Sequence, residues 1–306
     1  MRSSLHTGPA GWWAPLCALA LAGIPSLAAA FGQEYYVGLA ARILVFGIAA
    51  TSLNLIVGYG GMVSFGHAAF FGSGAYAVAV LASYGIASPW MAWPAAMAVA
   101  AAFAAAIGAA SLRTRGLYFI MITLAFAQMV FYLAVSLKAL GGDDGLSVAA
   151  RPVSETALYY IALALAAATL YLLRRVIDSP FGRALQGIRE NESRMEAIGF
   201  PVLRLKLAAF VIAGAVAGLA GALVALLNGR AGPGLLDWPQ SGSLLVMVIL
   251  GGVGHRLGGF IGAAVLLALE EFLSPYWSHW QLVLGVLLLA VVLRAPRGLA
   301  GLFARG

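Results

Sequence analysis

Five polar side chains interrupt otherwise apolar stretches: Asn54, Ser64, His67, Thr123 and Gln128. Polar groups at that depth usually face the interior of a helix bundle, where they pair with one another or line a path. Ser64 and His67 lie within GYGGMVSFGHAAFFGSGAYA, residues 58–77, beside Phe65, Phe70 and Phe71. The six glycines of this stretch permit either close helix approach or a break in the helical backbone. Two readings follow. One is a tight helix seam holding a hydrogen-bonded histidine; the other is a translocation path passing Asn54, Ser64 and His67. In GLYFIMITLAFAQ, residues 116–128, Thr123 and Gln128 are five apart. That spacing places them about 140° apart around a helix. Gln128 therefore reads as an interhelical hydrogen-bond donor, with a place on the path as the alternative.

Chemistry of the soluble-enzyme kind is missing. Lys138 and Lys206 are the only lysines, and each follows a leucine, so no Gly-Lys pair exists to cradle phosphate. No serine sits in a Gly-x-Ser-x-Gly elbow. His6, His67, His255 and His279 are isolated, and Cys17 is the single cysteine, so no zinc-binding spacing appears. Gly252 and Gly254 are followed by Gly258, one residue too late for a dinucleotide fingerprint. The chain is expected to be no enzyme, to carry no cofactor or metal, and to leave any ATP to other subunits.

The elements that position these residues are membrane spans. Hydrophobic residues make up 62% of the 306, charged residues 9%, and mean hydropathy is +0.95. A soluble domain has about 45–50% apolar and about 25% charged residues. Apolar runs lie near 11–31, 37–57, 66–84, 90–112, 116–137, 157–173, 207–228, 241–253, 259–274 and 280–293. The expected fold is an all-α integral membrane protein of eight to ten transmembrane helices. The last three runs are shorter than a bilayer demands, so some are short, tilted or broken. The first run resembles a signal peptide in ending at Ala28, Ala29 and Ala30. Pro15, Pro25 and the Trp12–Trp13 pair favour a retained helix instead.

The basic residues set the orientation. With the N-terminus inside and ten spans, 14 of the 18 Lys and Arg fall inside and four outside, and both termini are cytoplasmic. Dispersal of the +7 charge between apolar runs excludes nucleic acid as a partner and points to membrane lipid. Residues 138–156 form an outer loop in which Asp143 and Asp144 read as a solvated turn. Glu270 and Glu271 read as an outer interfacial pair. The long polar stretch 174–206 is cytoplasmic. Within it, residues 179–199 open with Ser-Pro, continue as an amphipathic helix, and close with Gly199 and Pro201. Such a helix needs a surface to dock on, either anionic lipid or a soluble protein. The interspersed Glu190, Glu192 and Glu196 favour the protein.

Four segments, residues 58–77, 116–128, 179–199 and 243–263, together resemble the permease subunits of branched-chain amino acid ATP-binding cassette importers. The long run SPFGRALQGIRENESRMEAIG favours the LivM-type over the LivH-type chain. The resemblance implies a single permease domain over 1–306 in a bacterial inner membrane. It implies a LivH-type second permease, two cytoplasmic ATPases of LivG/LivF type that bind the ATP, and a periplasmic amino-acid-binding protein. It also implies a coupling helix within 179–199, with Arg183, Ile188, Arg189, Glu190, Glu196, Ala197 and Gly199 as the ATPase-contact residues. The family's Glu-Ala-Ala motif reads Glu196-Ala197-Ile198 here, so its second alanine is replaced. The implied function is import of leucine, isoleucine, valine or related small amino acids and amides. The rival reading is an ion-coupled secondary transporter, for which Glu270, Glu271 and His67 are the candidate ion-coupling groups.

Overall fold

The computed structural model describes residues 21–26, 35–86, 88–148, 154–276, 279–294 and 298–303. Every apolar run from residue 37 onward is helical. In chain order from Tyr35, the helices are α1 (Tyr35–Asn54), α2 (His67–Ser83), α3 (Pro89–Ser111), α4 (Leu117–Ser136) and α5 (Glu155–Asp178). Two short polar helices follow, α6 (Pro180–Glu190) and α7 (Glu192–Ala197). The remainder are α8 (Val202–Asn228), α9 (Trp238–Gly251), α10 (Gly258–Leu273), α11 (Trp280–Arg294) and α12 (Gly298–Phe303). Five of them are long and apolar enough to cross a membrane: α1 with its π-helical extension, α3, α4, α5 and α8. The shorter apolar helices include α2, α9 and residues 281–291 of α11. The first apolar run, and with it the retained-helix reading, lies outside the described residues except for 21–26. That piece is helical and accepts hydrogen bonds from Tyr159 and Tyr160 of α5.

Helix α1 is the axis of the bundle because it is apolar all round, which is the signature of a helix buried on every side. From Leu44 to Tyr59 every residue is buried. Helices α5, α8 and α10 pack directly on it, while α8 also packs on α2 and α3. Small residues set these approaches. A Cβ on Gly74 of α2 would collide with the Gly218 backbone of α8, and Gly214 and Gly218 face Ala104 and Ala100 of α3. Gly258 and Gly262 bring α10 against the end of α9 in the same way. Without a hydrophobic drive between helices in lipid, close backbone contact of this kind supplies the packing energy.

Two details depart from an all-α chain with one cytoplasmic helix. Leu146–Ser147 pairs antiparallel with Arg230–Ala231, joining the 138–156 loop to the segment after α8. The polar run 179–199 is two helices, broken at Asn191, whose backbone is extended (φ −157°) and whose side chain accepts from Arg194 N at 2.9 Å. Asparagine is among the strongest N-caps, so it ends one helix and starts the next.

Candidate translocation site and coupling face

The glycine-rich stretch is a break in the backbone. Helix α1 runs on through a π turn, Leu55–Tyr59, and residues 60–66 are irregular before α2 begins at His67. Exposed amides inside a bilayer are costly, so each must find an acceptor. Phe65 N donates to Thr123 Oγ1 (3.2 Å), Gly66 N to Ser64 Oγ (3.1 Å) and Ala68 N to Ser241 Oγ (2.8 Å). Ser64, His67, Thr123 and Ser241 are all fully buried. His67 Nε2 lies 2.8 Å from Ser52 Oγ, and that hydroxyl donates to Ala49 O at 2.7 Å. A hydroxyl has one proton, so His67 is the donor through Nε2–H. Its Nδ1 is a buried acceptor with no partner among the described residues.

The five path candidates therefore fall into three places. Ser64, His67 and Thr123 converge on the break. Asn54 sits at its base, where Nδ2 donates to His255 O (2.8 Å) and Oδ1 accepts from Gly254 N (2.9 Å). Its amide clamps α1 to the turn between α9 and α10. On the same turn, burial first and then Arg256 hold the His255 imidazole below its usual range. Gln128 stands apart, with Nε2 donating to Asp237 Oδ1 at 2.8 Å, the interhelical bond its sequence position suggests.

Asp237 was not legible as a site residue from its surroundings. It caps α9 by accepting from Trp238 N at 2.8 Å, and Pro239 occupies the first turn. The sequence Leu236-Asp237-Trp238-Pro239 carries that helix-start signal, but not its depth. Depth comes from the packing. Gln128 is about 17 Å along a helix about 30 Å long, and Leu236 packs over Gly72, about a third of the way along α2, which itself begins at the level of Thr123, where Phe65 N donates to Thr123 Oγ1. The segment after α8 thus descends to mid-span before α9 begins.

At the opposite end from Tyr35, charged residues gather around the base of the break. Arg256 meets Asp178 at 2.6 Å, Lys206 meets Glu192 at 2.8 Å, and Arg115 meets Glu192 (3.5 Å) and Glu196 (3.4 Å). An open cleft of about 190 Å³ lies between them, with Gly61, Met62, Arg115, Glu192 and Lys206 on its walls. The seven coupling residues divide between two faces. Ile188 is buried as the foot of α6, and Arg189 reaches inward to donate to the Gly58 carbonyl. Arg183 donates to Asp178 O at 2.7 Å and Glu196 is held by Arg115. All of the seven except Ile188 are exposed. Gly199 ends α7 at φ +89°, the left-handed region where only glycine is unstrained. On either side of it Ile198 and Phe200 project into the open, 63% and 42% exposed. Ile198 is legible in the sequence as the replacement for the motif's second alanine, whereas its exposure beside Phe200 shows only in the structure.

At the Tyr35 end, Tyr35 Oη donates to Glu271 at 2.5 Å and Arg42 lies 4.0 Å from Glu270. Both carboxylates are thus tied to the first turns of α1. Asp143 and Asp144 are exposed on a short 3₁₀ turn.

Comparison with known proteins assigns this architecture. Residues 35–292 match the family described as branched-chain amino acid transport system / permease component. The high-affinity branched-chain amino acid transport system permease protein LivM of Escherichia coli (strain K12) is 30% identical over 294 residues, covering 86% of this chain and 69% of that protein. LivM of Salmonella typhimurium is 29% identical with the same coverage. The autoinducer 2 import system permease protein LsrC of Klebsiella pneumoniae is 30% identical over 178 residues, 53% of this chain and 51% of its own. No solved structure matches the chain. The break, the glycine seams and the polar helix pair α6–α7 all lie inside the matched region, and the chain belongs to the permease components of branched-chain amino acid ATP-binding cassette transport systems, as their non-catalytic multi-pass membrane subunit.

Proposed function

We propose that the chain is one half of a permease pair that carries leucine, isoleucine, valine or a related small amino acid across a bacterial inner membrane. The whole chain is one permease domain of eight to ten spans with both termini cytoplasmic. Its second half is a LivH-type permease, and two LivG/LivF-type ATPases bind the ATP, so this chain needs no cofactor of its own. A periplasmic amino-acid-binding protein delivers substrate at the outer end, near the 138–156 loop and the Arg230–Ala231 pair. The LivM names of the relatives support the substrate class. LsrC, named for a different cargo, is a reminder that the substrate must be measured.

The observation that carries the coupling role is the double helix α6–α7. Its inner face is anchored by Ile188 and Arg189, and its outer tip presents Ala197, Ile198 and Phe200. An exposed apolar tip at the end of a helix that also exposes Arg194 and Glu196 suits a protein groove better than bare cytoplasm. Pulling on that tip moves Arg189, and through it Gly58 at the base of the break. In this way ATPase closure reaches the path around Ser64, His67 and Thr123. Ile198→Asp tests the reading without touching the core. Co-purification of the ATPases with the permease pair should fall roughly tenfold or more, as for loss of a buried apolar anchor. Wild-type recovery of the ATPases would mean that residues 179–199 meet only solvent or lipid.

A further inference from the structure

We infer that Asp237 is the group that holds the substrate's ammonium on its way through the membrane, with Gln128 positioning it. This rests on the reading that an amino acid is the cargo. A carboxylate at the centre of a span is costly, so it is kept where it faces a partner or a wet cavity. Asp237 is such a carboxylate. It stands at mid-span, partly exposed, at the point where an irregular segment becomes α9.

Its surroundings are those of a half-built site. Both of its hydrogen bonds, from Gln128 Nε2 and Trp238 N, use Oδ1. Oδ2 has no hydrogen bond among the described residues. Gln128 shares a stripe with Met121, Ala125 and Tyr132 at i, i+4, i+7 and i+11, the spacing of one helix face. Met121 and Tyr132 are each 64% exposed and Trp238 is 50% exposed, so this face is open. Three residues beyond Asp237, Gln240 Nε2 is buried with no hydrogen-bond partner among the described residues. A buried unmade donor is expensive, and a substrate carboxylate would satisfy it. An acceptor and a donor one helical turn apart match the two ends of a zwitterion. The apolar stripe of α4 beside them suits an aliphatic side chain.

Asp237→Asn isolates the charge. Asparagine caps a helix as well as aspartate does and still accepts from Gln128, so the fold keeps both bonds. The assembled importer, with its permease, ATPase and binding-protein partners, is reconstituted in liposomes and tested with radiolabelled leucine. The N-cap and assembly are checked by yield of complex and melting temperature. Leucine uptake should fall about tenfold or more, the scale of one charged hydrogen bond, and Asp237→Glu should recover part of it. Wild-type uptake by Asp237→Asn overturns the assignment. Loss of assembly or a lowered melting temperature in step with uptake overturns it as well, since the carboxylate would then act in the fold. Failure of the wild-type complex to import any amino acid is a separate result, which removes the cargo itself.

Discussion

Arg189 is one of the side chains that link α6 and α7 to the rest of the bundle. It donates to the Gly58 carbonyl, its aliphatic stem lies against Gly61, and Gly254 of the neighbouring turn is close by. Read from sequence, Arg189 is a contact to the ATPase; in the structure it is exposed, and its guanidinium also reaches the Gly58 carbonyl. Arg189→Ala should therefore leave the ATPases bound, because the Ile198–Phe200 tip is untouched. Uptake should fall about tenfold, the equivalent of one charged hydrogen bond, with partial recovery in Arg189→Lys. Loss of ATPase co-purification in Arg189→Ala would instead return this residue to the docking surface. The side chains legible in advance were those whose type is rare in their surroundings, such as His67 and Asn54 among aliphatics. Asp237 was hidden because it follows α8 in what reads as an outer loop. Only the packing of Leu236 over Gly72 shows that this loop dips inward.

At the scale of elements, the break and the helices it joins depend on contacts too close for side chains. A Cβ on Gly66 would lie 3.2 Å from Thr123 O and 3.3 Å from Thr123 Cβ. Gly66→Leu should push α2 away from α4 and destabilise the permease by about 1–3 kcal/mol, the usual cost of overpacking. The check is thermal unfolding in detergent alongside Gly242→Ala, whose Cβ would meet only Phe65, at 4.0 Å. Equal melting temperatures for the two variants would show that the seam is loose. Apolar runs alone located α1 to α5 and α8 to α11, because a bilayer leaves the backbone no other choice. They did not reveal the division of the polar run 179–199 at Asn191 or the Leu146–Ser147 pairing with Arg230–Ala231. Both depend on local capping or on contacts between segments far apart in sequence.

Across the whole molecule, the two ends of the bundle differ in charge. The end that carries α6 and α7 gathers Arg115, Arg183, Arg189, Lys206 and Arg256, while the Tyr35 end pairs Arg42 with Glu270 and Tyr35 with Glu271. Tying Glu270 and Glu271 to α1 at that end removes them as mid-span ion-coupling groups. Mid-span Asp237 is the one carboxylate among the described residues whose position suits either a substrate ammonium or a coupled proton. The energy source separates these uses, and it is the central claim about the molecule. The measurement is leucine uptake by the reconstituted importer, with and without ATP, and with the proton gradient dissipated. Uptake should require hydrolysable ATP and the loaded binding protein, and should be unchanged when the gradient is collapsed. Uptake that persists without ATP and vanishes with the gradient would contradict the account.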